Sequence, residues 1–553
     1  MASAAPAVIG ELAGNGTAKA GSFLAFLAED VQRSPVLYST FAAVLAILVL
    51  ANMLSSPAVE EREPPLMKPT IPVIGHLIGM IKHESHYFKF LEPRGFRIAT
   101  LPILGGKVYG VWCPMLGQAV HRNKDLSFEP FALEFAQREL GFDNDTLKIL
   151  RDSTLMPEFF DGIHAGMTPT NVRRMNANAL RYVATVLEEI PAGEAFETTN
   201  FFLWVRDLMT LATAEALYGP ANPLAKDASL MEEVWAFDAG LGLLMLGVFP
   251  SIIAKRCYQA RAKLQAVLSD YYGAREDDHE EAAQIVKNRA NVLRKHGIPD
   301  REVGTFEIAL LHVGTSNTIP TLFWFVAHVF TNAELVAKLR EEVAAIATHG
   351  SNGEVTIDIG AIDEKCPLLV SCYRESIRLS NKGMGHRRVM KDTTISDGRG
   401  NTYLLKEGCN IQLSHEVSHS LERVWGTDYD KFVADRFVDK KAEGDIMMEK
   451  VKKAAFIPFG GGRHLCPGRN FAFAENLGFV ASLVLGFDVT TLDENKKDCG
   501  PKEGPVSYDG CGSPADQQWR GFRCPRRETG GVGEGQMAIH QLSGRSASLG
   551  TEA

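Results

Sequence analysis

Residues 459–470, Phe459-Gly460-Gly461-Gly462-Arg463-His464-Leu465-Cys466-Pro467-Gly468-Arg469-Asn470, place a single cysteine in a glycine-rich loop between basic side chains. The apolar run from Phe471 to Leu485 predicts a helix that begins just after this loop. Glycine lets a backbone turn tightly and approach a flat ligand closely. The helix N-terminus, together with Arg463 and Arg469, predicts that Cys466 favours the thiolate over the thiol. The alternative is a buried structural cysteine beside a glycine turn, and the density of glycine, cation and cysteine argues against it.

A lone thiolate held over a planar surface is how a protein ligates haem iron axially and activates oxygen. The loop resembles the haem-binding signature of the cytochromes P450, Phe-x-x-Gly-x-Arg/His-x-Cys-x-Gly, in all its fixed positions. The resemblance implies that Cys466 is the axial ligand of the iron of haem b. His464 stands where the family most often has arginine, and a histidine can still donate to a haem propionate. The other haem contacts that the resemblance implies in this loop are Phe459, Gly462, Arg463, His464 and Gly468.

Composition narrows the class of protein. The chain has 553 residues, of which 45% are apolar, so it can bury one large core. Its net charge of −9 and pI near 6.0 argue against a nucleic-acid partner. The nine cysteines form no CxxC pair, so neither a disulfide framework nor a zinc site is indicated. We therefore expect the catalytic part to face a reducing compartment.

The N-terminal segment predicts a membrane anchor. There is no charge between Arg33 and Glu60, and the interval is apolar enough to span a bilayer as a helix. We assign residues 34–56 to a transmembrane signal anchor and 1–33 to an N-terminal tail on the lumenal side. A cleaved secretory peptide or a mitochondrial presequence fits less well, because the run lies far from Met1 and acidic residues precede it. The flanking basic residues are nearly balanced, and the glycosylation sequon at Asn15 is usable only if the tail is lumenal.

The rest of the chain predicts one mainly helical domain with small β-sheets. Prolines make residues 57–72 a stiff hinge, and 73–490 form the catalytic domain. Alternation on both sides of Leu104-Gly105-Gly106 predicts a β-hairpin, and the patterns that follow are mostly helical. Residues 491–553 are rich in Gly, Pro, Arg and Ser, a composition typical of disorder. The resemblance implies the cytochrome P450 fold, with an N-terminal transmembrane helix added.

A second region of interest is the apolar run from Phe306 to Phe330, which predicts a helix buried on every side, with Thr305 as its cap. It contains a polar patch (His312 and Thr315-Ser316-Asn317-Thr318) followed by Pro320. One interpretation is a simple kink whose hydroxyls are satisfied internally. The resemblance instead implies the distal helix that faces bound oxygen.

At this site the sequence departs from the family pattern, Gly-x-Asp/Glu-Thr. The acid is missing, and Asn317 stands where the threonine usually stands. Asn-Thr-Ile-Pro followed by Phe323-Trp324 is similar to the branch containing cholesterol 7α-hydroxylase, sterol 12α-hydroxylase and prostacyclin synthase. The catalytic residues implied are Asn317, acting with ordered water, and Thr318.

Charged residues elsewhere carry the resemblance further. Glu375 and Arg378 are three residues apart on one helical face, which by itself indicates only a surface pair. In the family, Glu-x-x-Arg is buried beneath the haem and completed by an arginine of a later Arg-Phe motif, here Arg436. The role implied for this trio is structural. Arg387 or Arg388 is implied as a propionate contact.

One motif suggests a different chemistry. His415-Glu416-Val417-Ser418-His419 matches the zinc-protease pattern HExxH, which needs a helix and a third ligand. The preceding residues predict a strand, and the related proteins have an irregular connection here. We therefore expect these histidines to cap or bridge loops.

The resemblance implies a microsomal monooxygenase of secondary metabolism, anchored once in the endoplasmic reticulum membrane with its catalytic domain cytosolic. It would oxidise a lipophilic substrate such as a sterol or terpenoid with O₂ and with electrons from NADPH–cytochrome P450 reductase. A basic neighbourhood would dock that partner: Lys450, Lys452, Lys453, Arg463 and Arg469. Two alternatives stay open. One is an isomerase or dehydratase that rearranges a peroxide without a reductase, and the other is a non-catalytic haem- or sterol-binding protein.

Overall fold

The computed structural model describes residues 35–491, apart from 56, 70, 72–73, 143, 192–194, 199, 352–354 and 439–445, together with 522–525 and 537–538. Its first eleven helices are Pro35–Ser55 (α1), Leu77–Leu91 (α2), Pro114–Arg122 (α3), Glu129–Leu140 (α4), Asn144–Leu150 (α5), Leu155–Gly166 (α6), Pro169–Glu188 (α7), Phe201–Tyr218 (α8), Leu230–Met245 (α9), Pro250–Ile253 (α10) and Lys255–Gly273 (α11). The later helices are Gln284–Lys295 (α12), Asp300–Thr315 (α13), Thr318–Phe330 (α14), Ala333–Ala344 (α15), Ile362–Lys365 (α16), Pro367–Ser380 (α17), His415–Ser420 (α18), Glu422–Trp425 (α19), Ile446–Ala455 (α20) and Arg469–Gly486 (α21).

The strands are short and form small sheets. They are Ile98–Ile103 (β1), Gly106–Val111 (β2), Leu126–Ser127 (β3), Ala195–Thr198 (β4), Ala347–His349 (β5), Val355–Ile357 (β6), Met384–Val389 (β7), Thr393–Ser396 (β8), Thr402–Leu405 (β9), Asn410–Ser414 (β10), Thr490–Thr491 (β11), Phe522–Pro525 (β12) and Met537–Ala538 (β13). The largest sheet has the order β1-β2-β10-β7-β3, in which only β2 and β10 are parallel neighbours. The predicted hairpin is β1–β2, and Gly105 supplies the positive φ of 75° that its turn requires.

The core is built around α14. Its apolar side chains are buried on all sides, and it packs against α8, α15, α17 and α21. Asn332 caps the next helix, α15, by accepting a hydrogen bond from the Leu335 backbone N–H at 3.0 Å. The expected start of the distal helix at Thr305 was wrong, because α13 begins at Asp300. Asp300 and Glu302 in its first turn favour that N-terminus.

The two ends of the chain need separate mention. Helix α1 lies within the predicted anchor. Among its described residues, Tyr38–Ile47 is an apolar helical stretch. Among the described residues, no single helix is long and apolar enough to cross a bilayer. One pair of consecutive helical segments, 300–330 and 333–344, has the length and apolar composition of a membrane span, and the pair is bent by 109° at its break. The sequon at Asn15 and the tail 1–33 lie outside the described residues.

The predicted C-terminal tail contains structure at two described segments. β12 pairs antiparallel with both β11 and β4, and β13 pairs parallel with β6. At these segments the fold differs from the expected disorder, because backbone pairing with strands of the domain supplies what the apolar-poor tail lacks. The remainder of 492–553 lies outside the described residues.

Candidate active site

The cysteine loop is seated against α3 by close backbone approach. The Cys466 N–H donates to the carbonyl of Phe459 at 3.0 Å, which closes the loop. A Cβ at Gly462, whose φ is +65°, would lie 1.9 Å from the backbone oxygen of His121. The loop therefore reaches α3 only with glycine at this position. Helix α21 begins at Arg469, as expected, and the guanidinium of Arg469 donates to the Cys466 carbonyl at 3.0 Å.

The protonation of Cys466 differs from the expectation. Burial raises the pKa of the Cys466 thiol, and this outweighs the backbone N–H groups of Gly468 and Arg469 and the charge of Arg469. The loop by itself therefore holds a thiol, because burial destabilises the thiolate by more than its hydrogen-bond donors stabilise it. A metal that binds this sulfur must displace the proton.

A buried ion-pair network lies behind the loop. Arg378 and Glu375 form two hydrogen bonds of 2.7 and 2.8 Å, and Arg436 donates to Glu375 at 2.7 Å. The side chains are only 1%, 0% and 12% exposed respectively. Arg378 also donates to the backbone oxygen of Tyr429 at 2.7 Å and lies over the ring of Trp425. The trio expected from the sequence is thus brought together, and its remaining donors tie α17 to the segment before the loop.

Basic side chains gather next to the loop in a cation cluster. The buried Arg387 donates to the backbone oxygen of Gly461 at 3.3 Å, and burial together with Arg463 lowers its pKa to about 10. Among the described residues, no carboxylate pairs with Arg387 or Arg463. A buried cation such as Arg387 is costly without a counter-charge, and Arg463 beside it is exposed, so the arrangement suits an anionic ligand. The cluster consists of Arg387, Arg463, His121, His415 and His464.

The histidines of the cation cluster are held neutral. Burial, together with Arg387, His415 and His464, lowers the pKa of His121 to about 3. Burial with Arg387 and Arg463 lowers the pKa of His464 to about 4. An anion bound here would reverse part of this effect by favouring the protonated imidazoles.

The two arginines implied as propionate contacts are separated by the fold. They are adjacent on β7 and point to opposite sides of the strand. Arg388 donates to Asn410 at 2.6 Å and pairs with Glu134 at 3.1 Å, whereas Arg387 faces the cysteine loop. Arg387 is therefore the residue placed to meet an anion beside Cys466.

The distal helix is broken at the polar patch. α13 ends at Thr315 and α14 starts at Thr318, so the predicted single bent helix is two helices. Thr321 donates its hydroxyl to the Asn317 carbonyl at 2.8 Å, and Thr315 donates to that of Leu311 at 2.9 Å. These two hydroxyls donate hydrogen bonds to backbone carbonyls close to the break. Asn317 donates from its side chain to the Ser316 hydroxyl at 3.4 Å.

One face of the broken distal helix is exposed to solvent, whereas the residues on either side of that face are buried. Val313 is 56% exposed, and Asn317, four residues on, is also exposed. Gly314 and Thr318 beside them are half-buried, whereas Leu311 and Ile319 are buried. Residues four apart lie on one helical face, so Val313 and Asn317 form an exposed stripe between buried neighbours. Of the predicted catalytic pair, Asn317 lies on this stripe and Thr318 lies beside it.

The HExxH motif forms a helix, contrary to the irregular connection expected. His415 and His419 share a face of α18, with ring centres 6.2 Å apart. His415 contacts the side-chain oxygen of Asn381 at 3.1 Å, and His419 accepts from the Ile457 N–H at 3.1 Å. Glu416 bonds to side chains of α2. Within the described residues no three potential ligands converge, so the motif is used for packing.

Sequence reasoning missed the contribution of α3 and α4 to the site. His121 lies in the last turn of α3 beside the cysteine loop. The ring of Phe128, just before α4, lies 6.0 Å from the ring of His464. Phe131 of α4 lies 5.5 Å from the ring of His386 on β7. These residues follow ordinary helical patterns, and only the tertiary fold brings them to the loop.

The residues present suit a haem. Cys466 is a soft ligand in a glycine cradle, and Arg387 and Arg463 of the cation cluster offer positive charge for two carboxylates. The donor set and the cradle therefore agree with the cofactor that the signature implies.

Comparison with known proteins agrees with this geometry. The family model described as cytochrome P450 matches residues 230–507. A cytochrome P450 monooxygenase of Gibberella zeae is 41% identical over 452 residues, which are 82% of this chain and 86% of that protein. The human 7-alpha-hydroxycholest-4-en-3-one 12-alpha-hydroxylase is 21% identical over 480 residues, which are 83% and 92% of the two chains. A solved structure, the retinoic acid-bound cyanobacterial CYP120A1, is similar with a TM-score of 0.63 at 16% identity, over 85% of this chain and 100% of that one.

Proposed function

The chain belongs to the cytochrome P450 monooxygenase family, and from this premise we propose that it hydroxylates or otherwise oxidises a lipophilic substrate, such as a sterol or terpenoid, in secondary metabolism. The observation that carries the proposal is Cys466 in its glycine cradle beside the unpaired cation cluster. Sterol 12α-hydroxylases are among the relatives, which supports a rigid lipophilic substrate. The electrons would come from NADPH through a cytochrome P450 reductase.

In this proposal the residues of the chain have distinct tasks. Cys466 would lose its proton on binding the iron of haem b, since the free thiol is the favoured form here. Arg387 and His464 would receive the propionates, and the Glu375–Arg378–Arg436 network would keep the loop in place. When bound, a thiolate-ligated haem supplies the activation of O₂ and favours O–O cleavage. Asn317, on the exposed stripe, and Thr318, beside it, would hold ordered water and guide protons.

The proposed location is the endoplasmic reticulum membrane, with α1 as a single-pass anchor and the catalytic domain cytosolic. The apolar α1 supports the anchor, and a patch between α9 and α10 supports contact with lipid. This apolar patch exposes Leu246, Val248, Phe249 and Ile252 by 45%, 52%, 70% and 75%. α20 carries Lys450 and Lys453 in exposed positions, where an acidic reductase could dock.

The test is the reduced CO spectrum of the full-length protein. We expect the band typical of thiolate ligation in the wild type and its loss in Cys466→Ala. Cys372→Ala is the matched control, because Cys372 is also a free cysteine and lies on α17, away from the cysteine loop in sequence. A wild-type protein without that band would refute the haem-thiolate assignment.

The missing acid–threonine pair favours a second candidate, a reductase-independent isomerase or dehydratase that acts on a peroxide. Turnover that requires NADPH, reductase and O₂ would exclude it. For the monooxygenase, Asn317→Ala should slow turnover by about 10²-fold, or uncouple it from NADPH use, because it removes a group that positions protons. The CO spectrum should stay unchanged. Unaltered rate and coupling in Asn317→Ala would remove Asn317 from the proton route.

A further inference from the structure

A buried histidine lies between two carboxylates away from the cysteine loop. His312 of α13 contacts Asp238 of α9 through Nε2 at 2.8 Å and Glu139 of α4 through Nδ1 at 3.3 Å. The three side chains are 9%, 7% and 1% exposed. We call this trio the His312 clamp. It links three helices that are distant in sequence, and none of the roles described above uses it.

The geometry sets the charge of the His312 clamp. Nε2 is hydrogen-bonded to Asp238, and Nδ1 lies within ion-pair distance of a Glu139 carboxylate oxygen without hydrogen-bond alignment, so two carboxylates flank the ring and favour its charged form. Burial lowers the pKa of His312, but the contacts with Asp238 and Glu139 outweigh it and raise this pKa to about 10. From α11, Arg261 donates to the Glu139 backbone oxygen at 3.1 Å, and the Cys257 thiol donates to the Phe237 backbone oxygen at 3.1 Å.

Helix α4 reaches from the cysteine loop to the distal helix. Near its N-terminal end, Phe128 and Phe131 contact His464 and His386. At its C-terminal end, Glu139 contacts His312, one turn before the break at Ser316. A twelve-residue helix is about 18 Å long. α4 therefore connects the side of the cysteine loop with the distal helix and is placed to form one wall of a pocket between them.

We propose that His312 is a positioning residue, whose imidazolium holds α4 and α9 against α13 and thereby fixes the wall of the substrate pocket. That this wall lines a substrate pocket rests on the proposed function, whereas the attachment of α4 to α13 through His312 does not. His312 touches neither the cysteine loop nor the exposed stripe by a side-chain contact among those described. It acts through the helices that it joins.

The His312 clamp has a defined pH dependence. A histidine whose pKa rises from its ordinary value of 6.5 to about 10 stabilises the folded arrangement fully below pH 6.5. The stabilisation is lost as pH rises from 6.5 to about 10, where the imidazolium releases its proton. Alkaline pH should therefore loosen α4 and α9 before it affects the remainder of the domain.

Hydrogen exchange of the full-length holoprotein, corrected for the intrinsic pH dependence of exchange, tests the proposal. In His312→Gln, peptides from α4 and α9 should exchange about tenfold faster at pH 7, while those from α17 and α21 keep their wild-type rates. The wild type should show the same acceleration only as pH rises toward 10. His349→Gln, on the exposed end of β5, is the matched control and should exchange as the wild type does.

A double variant, Glu139→Gln with Asp238→Asn, keeps the shapes of the partners and removes their charges. It should move the alkaline loosening of α4 to lower pH, because the imidazolium loses the charges that stabilise it. A bulky azole that binds the haem iron should also enter His312→Gln about fivefold faster, whereas imidazole itself should not, since only the large ligand needs the wall to move.

Two results would overturn the proposal. One is wild-type exchange in α4 and α9 of a folded His312→Gln protein. The other is equal acceleration in every helix, which would give His312 a general structural role. Absence of the thiolate CO band would instead refute the proposed function. The exchange pattern of that protein would still test the role of His312.

Discussion

At the scale of single residues, the site depends on close approach as much as on chemistry. Gly462 matters because the backbone of α3 occupies the place of any side chain, while Cys466 would be a plain buried thiol without a metal. Sequence alone identified both positions through the signature. It could not choose between Arg387 and Arg388, because neighbours on a strand differ only in the face they occupy, and the fold sets that face.

Gly462 and Gly460 form a natural comparison. Both have positive φ, so alanine at either costs about 1–2 kcal/mol of backbone strain. Only at Gly462 would the new Cβ also collide with α3, since the nearest atom at Gly460 is 3.9 Å away. Gly462→Ala should lose most of its haem, as measured by absorbance per protein, while Gly460→Ala keeps it. Equal haem content in the two variants would show that α3 does not seat the loop.

Glu375 should be far more sensitive to substitution than a similar surface glutamate. Glu375→Gln removes the counter-charge of the buried Arg378 and leaves Arg436 with only the part-exposed Asp428, which should lower the free energy of unfolding by about 3–5 kcal/mol. Urea denaturation measures this value. The control is Glu334→Gln on α15, which breaks an exposed pair with Lys338 and should leave the urea midpoint unchanged. A small effect at Glu375 would argue against the structural role of the network.

At the scale of elements, the distal helix shows what periodicity can and cannot predict. The apolar run and its polar patch indicated a buried, bent helix in the right place. Two helices separated by Ser316 and Asn317 were not predictable, because the break depends on hydroxyls of Thr315 and Thr321 that take up backbone carbonyls. Similarly, a six-residue α18 arose where a loop was expected, since Ser414 caps it through the Val417 N–H.

The apolar patch is expected to bind membrane independently of α1. Without residues 1–56, the protein should still associate with phospholipid vesicles, and Phe249→Glu with Ile252→Glu should weaken that association by at least about 100-fold. Each side chain contributes roughly 1.5–3 kcal/mol when it leaves water. Vesicle flotation measures the change. Ile446→Glu on α20, at an equally exposed residue, should float like the parent protein. If both variants float alike, the patch does not face lipid.

At the scale of the whole molecule, the site is assembled from segments hundreds of residues apart. The cysteine loop, Glu375 and Arg436 could be identified from sequence because their motifs are local and ordered along the chain. Arg387, Arg463 and His464 were named through the resemblance. His121 and Phe128 could not be identified, because no local motif marks them and only the tertiary fold brings them to the loop. Local spacing therefore carries a signal for the cysteine loop and the ion-pair network, and none for His121 and Phe128.

The parallel pairing of β2 with β10 has a consequence for biosynthesis. Val108 lies opposite Asn410, so the hairpin β1–β2 emerges from the ribosome long before its neighbour exists. At about 5–20 residues per second, the open edge of β2 waits roughly 15–60 s for that partner. An unpaired strand edge invites association between nascent chains. Slower translation, or a lack of chaperones that cover the early hairpin, should therefore lower the yield of soluble protein without any change in its final stability.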